Sequence, residues 1–177
     1  MKVLVTGASG LIGRRMVPRL LREGIAVTAF VRTPDAFDVA GDGLTVATGR
    51  VEDRAAVGRA AAGCDAVVHL ANASGVVDET QVQAVNVTGT EHVLAAARAA
   101  GAGRVVFTST ISAMRERLGP YGRSKRLAEE RVRASGIPFV ILRPSLVYGG
   151  GETGLVASLA RHLRTLDRKS TRLNSSH

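Results

Sequence analysis

The 177 residues suit one domain and leave little room for two, and a chain of this size can bury a proper core. No apolar run reaches the roughly 20 residues that a membrane helix needs, and the chain begins directly with a strand-like run, so we expect a soluble cytoplasmic protein with neither signal peptide nor membrane partner. The net charge of +9 is spread as single arginines along helical stretches (Arg14, Arg15, Arg19, Arg22, Arg54, Arg59, Arg131, Arg133), and aromatic residues make up only 3%, a pattern of solvated helix faces that argues against a nucleic-acid partner.

The predicted elements alternate strand and helix. Lys2–Thr6 is an apolar strand, followed by the glycine-rich turn Gly7-Ala8-Ser9-Gly10 and a helix over Gly10–Glu23 with Leu11, Val17, Leu20 and Leu21 facing inward. Pro18 should bend that helix or weaken one turn, and Gly24 should end it in a left-handed conformation. Ile25–Val31 and Leu44–Thr48 are the next strands, Asp53–Ala62 a short helix, and Asp65–Leu70 a strand apolar on both faces, as parallel sheets require. Cys64 is the sole cysteine, which rules out an internal disulfide and reads as a small buried residue of a reducing compartment.

Thr80–Ala100 reads as one long helix whose stripe of Val82, Val85, Gly89, Val93 and Ala97 packs on the sheet. Arg104–Thr108, a helix over Tyr121–Ser135, the strand Phe139–Leu142, the turn Gly149-Gly150-Gly151 and a last helical segment Leu155–Leu166 complete the pattern. Six strands in βα alternation predict an α/β fold, a Rossmann-type doubly wound parallel sheet with strand order 3-2-1-4-5-6.

Three places carry chemistry. Gly7, Gly10 and Gly13 stand between a strand and a helix, where free N–H groups and the helix dipole favour a phosphate. Gly7 would permit the tight turn, Gly10 close approach of a phosphate, and Gly13 close helix packing. Nineteen positions past Gly13, where an acid would hold the ribose hydroxyl of NAD, stands Arg32, whose guanidinium suits a 2′-phosphate; Arg14 could join it. This favours NADP, with NAD the alternative. Tyr121 and Lys125 lie one helical turn apart, an arrangement in which an ammonium lowers a phenol's pKa, although such a spacing is also common on helix surfaces. Thr108-Ser109-Thr110 ends a strand at the carboxyl edge of the sheet, where a hydroxyl can reach a ligand or simply bond its own backbone.

Taken together, Thr6-Gly7-Ala8-Ser9-Gly10-Leu11-Ile12-Gly13, Val68-His69-Leu70-Ala71-Asn72-Ala73, Asn86-Val87-Thr88-Gly89-Thr90, Ser109-Thr110, the Tyr121/Lys125 pair and Leu142-Arg143-Pro144-Ser145-Leu146-Val147-Tyr148-Gly149 resemble the extended short-chain dehydrogenase/reductase superfamily, its NAD-dependent epimerase/dehydratase group. The resemblance covers residues 1 to about 155. It implies that Gly7, Ser9, Gly10, Leu11, Ile12 and Gly13 cradle the cofactor, with Arg32, Asp53 near the adenine, Leu70, Ala71 and Asn72 along it, and Pro144 beside the nicotinamide. It implies Tyr121 as acid/base, Lys125 as the residue that holds the nicotinamide ribose and lowers the tyrosine pKa, and Thr110 as the hydroxyl that polarises the reacting oxygen, with Ser109 or Ser112 as alternatives. His69 would serve packing and not a metal.

Two departures qualify this. Arg50 stands where the family usually has an acid, and Thr110 and Tyr121 are only eleven positions apart, a shortened loop that disfavours a bulky nucleotide-sugar. The implied activity is an NAD(P)-dependent reductase or epimerase on a small or sugar-like substrate, with a homodimer allowed. The alternative is an NAD(P)H sensor or scaffold; members of that kind typically lose the Tyr/Lys pair, which is present here.

The stretch Asp167-Arg168-Lys169-Ser170-Thr171-Arg172-Leu173-Asn174-Ser175-Ser176-His177 has no helical period and resembles, residue for residue, one translated frame of a common sequencing adaptor; the other reading is a natural disordered tail. The expected division is therefore 1–166 as the NAD(P)-binding domain and 167–177 as a non-native or disordered tail. On this expectation the substrate region is largely missing and the chain as it stands is inactive.

Overall fold

A computed structural model describes residues 1–74 and 78–148. Its centre is a parallel sheet of six strands: β1 (Lys2–Thr6), β2 (Ala26–Val31), β3 (Leu44–Thr48), β4 (Ala66–His69), β5 (Arg104–Thr108) and β6 (Phe139–Leu142). Their order is β3-β2-β1-β4-β5-β6, as predicted. The registers Val5↔Ala29 and Val5↔Val68 align the carboxyl ends of the three middle strands, and there the sheet order reverses. That crevice is where doubly wound sheets bind ligands.

Alternation of side chains along the strands divides the core in two. Val3 and Val5 point to the face covered by α1 (Gly13–Arg22), packing with Val17, Val27, Ala29, Val31 and Phe37. Leu4 points to the other face, where it joins residues of α2 (Arg54–Ala61), α4 (Gly89–Ala99) and α5 (Pro120–Arg133), among them Val57, Val93, Ala97, Ala128 and Val132. Phe107 and Val67 complete this second core. On the edge strand β6, Phe139, Val140 and Leu142 remain exposed.

The structure departs from the sequence expectation in four places. The first helix begins at Gly13 and not at Gly10, because residues 10–12 form a turn whose Gly10 N–H bonds Gly7 O at 3.0 Å. It then runs unbroken across Pro18, so the ring costs the Arg14 carbonyl its helical donor but does not divide the helix. Two 3₁₀ turns, Pro34–Ala36 and Ile111–Met114, stand in stretches where the sequence pattern predicts no element. Most consequential, the helix expected over 80–100 is α3 (Glu79–Gln83), a π-helical segment Ala84–Thr88, and α4. The predicted apolar stripe holds: Val82, Gly89, Val93 and Ala97 are buried, and a Cβ on Gly89 would stand 2.7 Å from Val51 Cγ2. Gly24 is left-handed at φ +73°, as predicted. The Gly149–Gly151 turn, the segment 155–166 and the tail 167–177 lie outside the described residues.

Candidate functional site

Strand β1 delivers the chain to Gly7, which turns it at φ +67°, a conformation that a side chain rarely adopts. A Cβ on Gly7 would lie 2.7 Å from Ala71 N, so the loop after β4 presses directly on the glycine turn. A Cβ on Gly13 would lie 2.6 Å from Ala8 Cα and Gly7 O; Gly13 closes the turn on itself and not, as expected, the helix on the sheet. At Gly10 the nearest atom to such a Cβ is Gly7 O at 3.2 Å, which leaves the outer side of the loop open.

Beside this loop is a cavity of about 400 Å³. Gly7, Ser9 and Gly10 line it from β1, Arg32 from the end of β2, Glu52 after β3, and Leu70, Ala71 and Asn72 after β4. Its size falls in the range of about 300–1,000 Å³ usual for small-molecule sites. Glycines that no side chain could replace, a helix beginning at Gly13 and an exposed guanidinium at the lip suit an anionic, phosphate-bearing ligand, so these residues fit a dinucleotide.

Several predicted contacts are placed differently. Arg14 does not accompany Arg32: its Nε donates to Ser9 O at 2.8 Å, its Nη2 to Ala36 O, and its Nη1 stands 3.4 Å from Asp38. It therefore braces the glycine loop against the Pro34–Ala36 turn. Asp53 does not line the cavity but caps α2, accepting from Ala55 N at 2.9 Å and Ala56 N at 3.0 Å. Its neighbour Glu52 lines the cavity and is held 3.3 Å from Arg50. Leu11 and Ile12 are half-buried and do not line it.

Thr110, Tyr121, Lys125 and Pro144 do not line this cavity, and the backbone joins the first of them to the last. Ser109 N donates to Leu142 O at 2.7 Å and Ile111 N to Pro144 O at 3.1 Å, which pins the segment after β5 to the turn after β6. Thr110 is buried and its hydroxyl accepts from Ser112 N at 3.2 Å. Ser109, the alternative, has its hydroxyl buried; it is close enough to Glu129 to help lower that carboxyl's pKa but lies outside hydrogen-bond geometry. An inward-facing Ser109 leaves Thr110 and Ser112 as the hydroxyls of this segment.

Tyr121 is half-buried, and burial pushes its phenol up, the reverse of the lowering expected from Lys125. Lys125 is buried more deeply still. Its ammonium turns inward and sits 4.2 Å from the centroid of the Phe107 ring, 1% exposed, and burial brings its pKa down to about 7. The negative charge of Glu129, one turn further along α5, opposes that fall.

Asn86 was quoted in the sequence motif but given no role, and it proves to be the joint of the site. It lies in the π-helical segment, is 1% exposed, and its Oδ1 accepts from Ala73 N at 2.8 Å. Its Nδ2 donates to Ala73 O at 3.1 Å and to Ser124 Oγ at 2.9 Å, while Ser124 Oγ donates to Tyr121 O at 2.8 Å. One amide thus ties the loop after β4 to the helix that carries Tyr121 and Lys125. The signal available was a polar residue on the buried stripe, three positions before Gly89.

A second chain of hydrogen bonds lies behind it. Ala71 N donates to Thr6 Oγ1 at 3.3 Å, leaving the Thr6 hydroxyl to donate to His69 Nδ1 at 2.6 Å. Thr90 Oγ1 spends its proton on Asn86 O at 2.7 Å and so accepts from His69 Nε2 at 3.0 Å. The network assigns the Nε2–H tautomer. With both ring nitrogens engaged and the ring 1% exposed, His69 is neutral: burial first, and the Lys125 charge second, lower its pKa to about 3. It packs at 5.5 Å from the Phe107 ring, and no metal-binding cluster occurs among the described residues.

Comparison with known proteins agrees with this geometry. The family model for NAD(P)H-binding proteins matches residues 7–172. A 2-alkyl-3-oxoalkanoate reductase of Stenotrophomonas maltophilia (strain K279a) is 38% identical over 190 residues, covering 93% of this chain and 56% of that protein. The Bordetella bronchiseptica enzyme WbmG, in complex with NAD, is 25% identical with a TM-score of 0.84, covering 93% of this chain and 60% of that one. A short-chain dehydrogenase/reductase superfamily protein from Agrobacterium tumefaciens with bound NAD is 35% identical with a TM-score of 0.69, over 81% of this chain and 48% of that one. The chain spans about half the length of the curated relatives it matches. Sheet order, glycine cradle and family match concur: the chain belongs to the NAD(P)H-binding family, with the Rossmann fold of the short-chain reductases and epimerases.

Proposed function

We propose that this chain carries the cofactor site of an NAD(P)-dependent oxidoreductase, a reductase or epimerase acting on a carbonyl or alcohol carbon of a small or sugar-like substrate. The observation that carries the reading is the cavity in which the glycine loop, Arg32 and the segment Leu70–Asn72 meet. Gly7, Ser9 and Gly10, with the N-terminus of α1, would hold the pyrophosphate. Arg32 would take a ribose 2′-phosphate through its guanidinium fork, which favours NADP over NAD. Once bound, the nicotinamide would supply the donor or acceptor of the hydride.

The remaining work falls to side chains on α5 and after β5. Tyr121 passes the proton at the reacting oxygen and Thr110 donates a hydrogen bond to the same oxygen, while Lys125 acts from the interior, where its ammonium sits against Phe107. The short segment between Thr110 and Tyr121 favours a compact substrate. The protein acts in the cytoplasm on a small molecule.

Fluorescence titration of the chain with NADPH and NADH tests the cofactor assignment. We expect tighter binding of NADPH, weakened about tenfold by Arg32→Ala, as loss of a charged hydrogen-bond donor implies. Failure to bind either nucleotide would overturn it. In an enzyme assayed with NADPH against a panel of small ketones, Tyr121→Phe should abolish turnover and spare cofactor binding, and undiminished turnover would remove Tyr121 from the mechanism.

A further inference from the structure

Helix α5 places Tyr121, Lys125 and Glu129 at successive four-residue steps, so the last two share one side of the helix. Both are charged and both are buried, at 1% and 3% exposure. Burial of a carboxylate is costly unless its lone pairs are filled, and those of Glu129 are. Arg143 forks onto it with Nε to Oε1 at 2.8 Å and Nη2 to Oε2 at 2.6 Å, and Arg133 Nη2 reaches Oε2 at 2.8 Å.

Arg143 is the residue between β6 and Pro144, and Pro144 O accepts from Ile111 N beside Thr110. The carboxylate therefore joins the helix bearing Tyr121 and Lys125 to the strand ends bearing Thr110 and Pro144. The Phe107 ring from β5 packs against the Lys125 ammonium, and His69 from β4, which is neutral, packs on the same ring. Among the described residues, the anion that acts on Lys125 is Glu129.

We propose that Glu129, locked by Arg143, is a positioning residue for Lys125: one turn away on the same side of α5, it presents a buried negative charge to the ammonium and holds α5 in register with the ends of β5 and β6. The inference rests on the reading of Lys125 as part of the reaction machinery. Glu129 itself touches neither the cavity nor the proposed reacting groups, so it acts through Lys125.

The test reads Lys125 directly, by NMR titration of the chain labelled with ¹³C at the lysine Cε. In the unaltered chain Lys125 titrates near neutrality, far below an ordinary lysine. Glu129→Gln keeps the shape and removes the charge, and it should lower the Lys125 midpoint by about one pH unit, the usual scale for losing a nearby opposite charge. Glu129→Asp keeps the charge and should leave the midpoint within a few tenths of a unit of the original. If Glu129→Gln does not fold, the double variant Glu129→Gln, Arg143→Met is compared with Arg143→Met alone, so that the guanidinium is absent from both and the difference isolates the carboxylate; the double variant should titrate about one pH unit below the single one. A folded charge-free variant whose Lys125 midpoint is unmoved overturns the proposal, whatever the outcome with Tyr121→Phe. Conversely, turnover surviving Tyr121→Phe would overturn the reaction scheme and leave this titration as it stands.

Discussion

At the ends of β1 and β2 the site is made of backbone, small side chains and the exposed Arg32, whereas around β5, β6, α5 and His69 of β4 it is made of buried titratable groups. The first region admits a ligand because Gly7 and Gly13 let three stretches of chain approach closer than any side chain would permit. The second holds Lys125, Glu129 and His69 away from water, each with a protonation equilibrium displaced from its ordinary value. One region is sensitive to volume, the other to pH. Neither sensitivity transfers to the other region, and that separation can be tested.

The largest effect should come from adding one methyl group to the first region. In Gly13→Ala the new Cβ would meet backbone, 2.6 Å from Ala8 Cα and Gly7 O, which cannot swing aside as a flexible side chain can. We expect a loss of about 3 kcal/mol in unfolding free energy, the upper end for overpacking, together with loss of nucleotide binding. Urea unfolding measures it. A loss below about 1 kcal/mol would mean that the turn relaxes and that the contrast between the two regions is weaker than drawn.

The second region should respond to acid. His69 has a folded pKa of about 3 against 6.5, so between these values the unfolded chain binds a proton that the folded chain refuses, and stability falls as pH drops through that window. Glu129 is held at about 2 against 4.5, so its contribution, complete above 4.5, is lost as pH falls from there toward 2. Lys125 lies at about 7 against 10.5; the unfolded chain is again the better proton binder, and stability rises as pH climbs through this range. Each proton contributes about 1.4 kcal/mol per pH unit, so roughly 2 kcal/mol should be lost between pH 6.5 and 5 on account of His69. His69→Asn should flatten that slope in urea titrations, while Gly13→Ala should leave it unchanged. An equal slope in the His69 variant would show that the charge cluster is wetter than its burial implies.

The same division explains what could be read from the sequence. Strand order and the glycine cradle were legible because they follow from local spacing: apolar runs of fixed length and glycines at three-residue steps. The i, i+4 relation of Tyr121 and Lys125 was equally local. The direction of Lys125 was not, since it depends on Phe107 from another strand and on Glu129, whose own burial depends on Arg143, fourteen positions away. Tyr121 was expected to be lowered and is raised, because its own burial, equally a product of long-range packing, penalises the phenolate. Arg14 was misplaced for a related reason: its partners, Ala36 O and Asp38, lie in a loop whose 3₁₀ turn has no strong sequence mark. The π-helical segment follows from the need of Asn86 to reach Ala73, which helical periodicity cannot express.

The smallest effect concerns Asp53, which follows β3 at the start of α2 and has two readings. As the cap of α2 it uses one carboxylate oxygen to accept from two backbone N–H groups, a task an amide oxygen performs about as well. As a neighbour of an adenine it would be needed for its own chemistry toward that ring. Asp53→Ala should therefore cost about 1 kcal/mol of stability, the usual worth of a helix cap, and Asp53→Asn almost nothing. Since the cavity beside it is lined by Glu52 and not by Asp53, NADPH affinity should be unchanged in Asp53→Asn. If affinity fell in Asp53→Asn while the melting temperature held, the carboxylate would have a contact with the nucleotide beyond its cap, and the cradle would extend one residue further than its lining indicates.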